Sequence, residues 1–172
     1  LVGHRQKIQL MNGLATIHPN KALDEIDKTD LIFIPAISGN LREAIEVNQV
    51  YLPWIIKQRQ KGAEVASLCL GAFLLASTGL LDGKKCSTHW LSASEFREMF
   101  PKVELIDGSI ISDEKGIYSS GGANSYWSLL LYLLEKYTSR DIAILASKFF
   151  AVDIDRDSQS KFMMFKGQRN HN

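Results

Sequence analysis

Apolar residues in this chain fall into two kinds of segment: short unbroken runs, and longer stretches where they recur at helical spacing. Asp30 to Pro35, DLIFIP, shows no polar alternation, and neither does Val65 to Leu68, which follows Lys61-Gly62. Such runs are strands covered on both faces, as in a parallel sheet. Between them, Asn40 with Glu43 three residues on predicts the start of a helix that extends to about Lys61. Pro53 predicts a kink there, or two helices. Leu70 to Ala76 predicts a helix closed at Gly79. Ser92 with Glu95 opens another that stops before Pro101. Val103–Ile106, Ser109–Ser112 and Gly116–Ser119 are short strand candidates. Ala123 to Tyr137 is apolar nearly all round, which predicts a buried helix. A further helix spans Ser139 to Phe150, with Thr138 and Asp141 at capping-box spacing. At the start, Asn12-Gly13 between Ile8/Leu10 and Leu14/Ile17 predicts a hairpin, and Lys21 to Lys28 a short helix. Strands alternating with helices give an α/β fold, a mostly parallel sheet between helical layers.

This pattern puts Cys69 where the Val65–Leu68 strand turns into the Leu70–Ala76 helix. Unpaired N–H groups and the positive end of the helix dipole favour a thiolate there, which would lower the thiol pKa from about 8.5. His89 ends a second strand-like run, Cys86 to Thr88. The arrangement is that of a nucleophile elbow with cysteine as nucleophile. A free cysteine is also among the most buried residue types and packs as a small hydrophobe, so residue types alone leave both readings open. Ala36 to Asn40 is a loop at the carboxyl end of a strand, where ligands bind in open α/β sheets. Within it Gly39 serves either a ligand's approach or only the turn. Gly121-Gly122, between a strand and a helix, is a weak signal for an anion cradle. His4, His18 and His171 read as solvated, and the acidic run Asp153 to Asp157 lacks the glycine and closing Glu of a calcium loop. No metal site is expected.

Composition narrows the classes. The chain has 172 residues, 45% hydrophobic and 23% charged, which suits one globular domain with a sizeable core. Its 20 basic and 19 acidic residues are interspersed, so no basic stripe marks a nucleic-acid surface. Two cysteines provide neither a disulfide framework nor metal-ligand spacing, which points to a reducing, cytoplasmic setting. No apolar run approaches a membrane span, and no signal peptide is visible.

The stretch SLCLGAFLLASTGLLDGKKCSTHW resembles the central segment of the ThiJ/PfpI superfamily, whose fold is class I glutamine amidotransferase-like. More closely, it is similar to the amino-terminal domain of AraC/XylS-type transcription regulators, with the pattern C-x-G-A-F-L-L-A-x-x-G-L-L-D-G-[RK]-x-x-T-T-H-W. Cys69, Gly71 to Ala76, Gly79 to Gly83 and Thr88 to Trp90 match it, and Ser87 stands where Thr is usual. The resemblance continues through FPKVELIDG and GIYSSGGANSYWSLLLYLLEKY, and RDSQSKFMMFKGQRNH resembles the segment before the regulators' DNA-binding part. It implies a flavodoxin-like three-layer sandwich with helices on both faces. It also implies a strand and helix ahead of the Asn12-Gly13 hairpin; in enzymes of the superfamily that strand often supplies an acid near the cysteine. Two helix-turn-helix motifs are expected after Asn172, and Phe162, Met163 and Phe165 are expected to dock on the body.

Two functions follow from the resemblance. In the first, the domain senses a small-molecule effector and dimerises. Ile37, Ser38, Gly39, Cys69, Leu70, His89, Trp90, Gly121 and Gly122 then line the ligand pocket, and DNA is bound only through the helix-turn-helix part. In the second it is an enzyme of the isonitrile hydratase or amidase kind. Cys69 is then the nucleophile, His89 a general base or orienter, and the Leu70 N–H an oxyanion donor. Neither reading requires a cofactor. Both use the same elbow; the extra helix and charged tail after Tyr137 favour the regulator.

Overall fold

The structure, a computed structural model, describes residues 1–5, 7–10, 14–154 and 158–159. Its centre is a four-stranded sheet in the order β5-β6-β10-β9. Leu31–Ile34 (β5), Glu64–Leu68 (β6) and Ile117–Ser120 (β10) run parallel, and Ile111–Asp113 (β9) is antiparallel to β10. Three small pairings surround it. Val2–Gly3 (β1) lies beside Lys21–Ala22 (β4), Ile8–Leu10 (β2) pairs with Ala15–Ile17 (β3), and Lys85–Cys86 (β7) pairs with Glu104–Leu105 (β8). The β2–β3 pairing is that of the expected hairpin, while its turn, Asn12-Gly13, lies outside the described residues, as do Phe162, Met163 and Phe165.

Side chains alternating along the central strands feed two cores. On one face Ile32, Ile34, Val65 and Ile117 meet Leu41–Asn48 (α1), Leu52–Gln60 (α2) and Gly71–Ser77 (α3), with Phe73 edge-on to Phe96 from Ala93–Met99 (α4). On the other, Ala66 and Tyr118 pack on Leu129 and Leu133 of Ser125–Tyr137 (α5). The result is the flavodoxin-like sandwich, helices on both faces of a mostly parallel sheet. Arg140–Phe150 (α6) packs on α5 and turns Ile142, Leu145 and Phe149 to solvent.

At Pro53 the structure takes the two-helix alternative, and in four other places local expectations differ from it. Pro53 divides the Asn40–Lys61 segment into α1 and α2, where its missing N–H costs nothing in the first turn of α2. Lys21 to Lys28 yields only β4 and a single 3-10 turn, Leu23–Glu25, because β4 is claimed by β1. Ser92 makes no side-chain cap; the chain enters α4 through a 3-10 turn capped by His89 instead. Thr138 closes α5, its hydroxyl bonding to the Leu134 carbonyl, and Ser139 caps α6 by accepting from the Ile142 N–H at 3.3 Å. Helix α5 is buried along one side rather than all round, with Leu130 and Tyr137 exposed.

At the amino end of β6 the Glu64 carboxylate gathers the hydroxyls of Tyr118 (2.9 Å) and Tyr137, with Lys136 at 3.5 Å. Partial burial pushes its pKa up, but the two hydroxyls and Lys136 outweigh this and hold it below the ordinary carboxylate value. A carboxyl with a depressed folded pKa contributes stability above its unfolded pKa and loses it as pH falls through the folded one. Glu64→Gln is therefore expected to lower stability at neutral pH by about 1 to 2 kcal/mol, with the difference from wild type shrinking below about pH 4.5. Urea denaturation at neutral and acidic pH measures both; a pH-independent difference would contradict the linkage.

Candidate functional site

Four chain segments meet at the carboxyl edge of the sheet, where an α/β sheet offers its crevice. Beyond β6, Cys69 adopts φ +53°, a left-handed conformation that costs a non-glycine residue of order 1 kcal/mol. Three hydrogen bonds hold it there. Its N–H donates to the Ser120 carbonyl at the end of β10 (3.0 Å). Its carbonyl accepts from the Ala72 N–H (3.3 Å) and from the Thr88 hydroxyl (3.1 Å). Gly71 then lies so close to β5 that a Cβ would sit 2.6 Å from the carbonyl oxygens of Ile34 and Pro35, so only glycine fits that turn.

The segment after β7 is delivered to the same edge by buried serines. The Ser87 N–H donates to Ser119 Oγ at 2.6 Å, and Ser119 Oγ lies 2.6 Å from Ser112 Oγ. Thr88 and His89 follow. His89 is half-buried and stacks on Trp90 with centroids 5.7 Å apart. Its Nδ1 accepts from the Leu91 N–H at 3.1 Å, so the neutral ring carries its proton on Nε2.

The fourth segment is the Gly121-Gly122 turn after β10. Here the structure brings in a residue that the sequence reading did not single out. Gln159 is 2% exposed, and its Oε1 accepts from the Gly122 N–H at 2.6 Å. Its Nε2 donates to the carbonyls of Ser109 (2.7 Å) and Thr88 (3.3 Å). A Cβ on Gly121 would lie 1.9 Å from Gln159 Nε2, and one on Gly122 would lie 3.8 Å from the His89 ring. The expected cradle thus holds a neutral carboxamide of the chain itself. Nearby the Ser125 hydroxyl is buried with no hydrogen-bond partner among the described residues.

The other expected pocket residues divide. Leu70 is half-buried, with its N–H directed at the Cys69 sulfur. Ile37 lines a separate apolar cavity of about 540 Å³ between β5 and α2, while Ser38 and Gly39 are exposed. Gly39, at φ +84° with nothing near its Cβ position, serves the turn.

The electrostatics overturn one expectation. Burial pushes the Cys69 thiol above its ordinary pKa, and the Leu70 N–H pulls it only part of the way back. Among the described residues no hydrogen bond joins the thiol to His89, and no group of three His, Cys, Asp or Glu is arranged to hold a metal. Cys86 is fully buried and pushed up to about 12.

The DJ-1/PfpI family model matches residues 2–136. The chain belongs to the DJ-1/PfpI family. Among its relatives are two transcriptional regulators of the HTH type from Pseudomonas aeruginosa. GbdR is 25% identical over 83% of this chain and 38% of its own length. CdhR is 28% identical over 86% of this chain and 43% of its own. The chain therefore spans less than half of either regulator. An isonitrile hydratase from Pseudomonas putida is 25% identical over 75% of this chain and 54% of its own length. Two solved structures share the fold. A ThiJ/PfpI family protein from Pseudomonas syringae has a TM-score of 0.74 at 18% identity, covering 91% of this chain and 63% of that one. An AraC family regulator from Pseudomonas putida has a TM-score of 0.59 at 17% identity, covering 85% and 76%.

Within this DJ-1/PfpI domain the two thiols differ in access as well as acidity. Iodoacetamide is expected to modify Cys69 in the native protein and Cys86 only on unfolding, as mapped by mass spectrometry of the Cys69→Ser and Cys86→Ser variants. Faster native labelling of Cys86 would contradict the burial order.

Proposed function

We propose that this DJ-1/PfpI domain is the ligand-sensing and dimerising part of a longer AraC-type transcription regulator and is not a catalyst. The observation that carries the reading is the state of Cys69. Burial pushes its thiol pKa up, and among the described residues no base is hydrogen-bonded to it. A thiol nucleophile acts as thiolate, generated by a neighbouring base or a depressed pKa, and among the described residues Cys69 is given neither. The regulators among the relatives support the same reading. In it Cys69, Leu70, His89, Trp90, Gly121 and Gly122 contact a small-molecule effector. DNA is read by helix-turn-helix motifs beyond residue 172, in the cytoplasm. Among the described residues no helix is long and apolar enough to cross a membrane.

One feature supports dimerisation: the outward stripe of Ile142, Leu145 and Phe149 on α6 is a surface of the kind that pairs two copies.

The second reading, a cysteine hydratase or amidase, is favoured by the strained elbow at Cys69 and by the isonitrile hydratase among the relatives. Turnover separates the two. The domain is expected to hydrolyse or hydrate simple amides and isonitriles no faster than its Cys69→Ala variant. Saturable turnover abolished by that substitution would reverse the assignment.

A further inference from the structure

Gln159 lies outside the stretch that the family model matches, yet its carboxamide fills the cleft at the family's elbow. The three contacts form a specific pattern. One N–H, from Gly122, meets the carbonyl oxygen, and two backbone carbonyls, of Ser109 and Thr88, meet the NH₂. One donor facing two acceptors is the complement of a primary amide. A carboxylate of the same shape would set an anionic oxygen against two carbonyl oxygens. Thr88 is also the residue whose hydroxyl holds the Cys69 carbonyl, so amide and elbow share one support.

The same contacts fasten the chain behind them. The Gln159 N–H donates to the Gly108 carbonyl at 2.7 Å, Ser158 Oγ to that same carbonyl at 3.4 Å, and Ser109 bridges to Ser158. Ser158 and Gln159 are thereby held against the loop before β9, and the carboxamide is the buried part of that attachment.

We propose that the Gly122–Thr88–Ser109 cleft is a primary-amide subsite, that Gln159 is its built-in occupant, and that an effector bearing a primary amide binds by displacing Gln159 and releasing the Ser158-Gln159 segment from the loop before β9. The proposal rests on the sensing function and supplies its ligand chemistry and its output. An effector that must expel an intramolecular competitor binds more weakly than its contacts alone would allow, and the difference is the work done on the segment. Carboxylate analogues are excluded by the two carbonyls.

The test uses the 172-residue chain, its Gln159→Ala variant and its Gln159→Glu variant, with butyramide and butyrate as probes and the Gly122 amide followed by NMR. Without probe, Gly122 N–H exchange is expected to be about tenfold faster in both variants than in wild type, the change for losing one intramolecular hydrogen bond. Butyramide is expected to shift the Gly122 resonance saturably in Gln159→Ala and at least about tenfold more weakly in wild type, by the same competition. Butyrate is expected to leave it unmoved in all three. Equal exchange in all three chains, or equal response of Gln159→Ala to amide and acid, overturns the proposal. Gln159→Glu keeps the side chain's size, so it separates loss of amide recognition from loss of filling should Gln159→Ala disturb the fold. Failure here leaves the sensing function standing with another ligand chemistry. Catalytic turnover at Cys69 would remove the sensing function even if the amide subsite were intact.

Discussion

The backbone of Cys69 is the joint on which this molecule depends. A non-glycine residue is held at positive φ, and the strain persists because three strand ends over-determine it. The Ser120 carbonyl takes its N–H, and the Thr88 hydroxyl reaches its carbonyl. Gly71 lets α3 start directly against the end of β5. Each partner sits at the carboxyl end of a strand, so the sheet order and the elbow specify one another. Loosening any one of them would separate the loops that carry Cys69, His89 and Gly122.

The joint is built as a nucleophile elbow but lacks the electrostatics of one. An elbow cysteine needs a polar, partly open setting to hold a thiolate, and here burial dominates. His89 spends its Nδ1 on the Leu91 N–H, in a capping bond that starts the turn into α4. With a neutral carboxamide in the adjacent cleft, the face holds polar groups in matched positions without a charged nucleophile among them. That suits recognition, where differential binding between two states is the output, better than covalent chemistry.

Much of this was legible in the chain. The unbroken runs DLIFIP and Val65–Leu68 became β5 and β6, because strands covered on both faces carry no polar alternation. Pro53 marked the division between α1 and α2. The elbow could be located from Cys69, Gly71 and the apolar run behind them. What could not be read were interactions with no local spacing. Gln159 meets Gly122 across 37 positions and Thr88 across 71, from a stretch read only as resembling the segment before a DNA-binding part. The thiol's acidity was misjudged because a sequence shows that a helix follows but not how deeply the sulfur is covered. The caps of α4 and α6 differ from the expectation because the chain enters α4 through a 3-10 turn in which His89 accepts from the Leu91 N–H, and because Ser139 rather than Thr138 accepts from the Ile142 N–H.

The central claim is that this face senses while DNA is read elsewhere in a longer protein. The chain's 20 basic residues are nearly balanced by 19 acidic ones, so its composition carries no excess of phosphate-binding charge. A gel-shift titration of residues 1–172 and of the longer protein on the latter's own upstream DNA, at near-physiological salt, tests the claim directly. Sequence-specific binding is expected from the longer protein alone. Specific binding by residues 1–172, or none by the longer protein, would contradict the account.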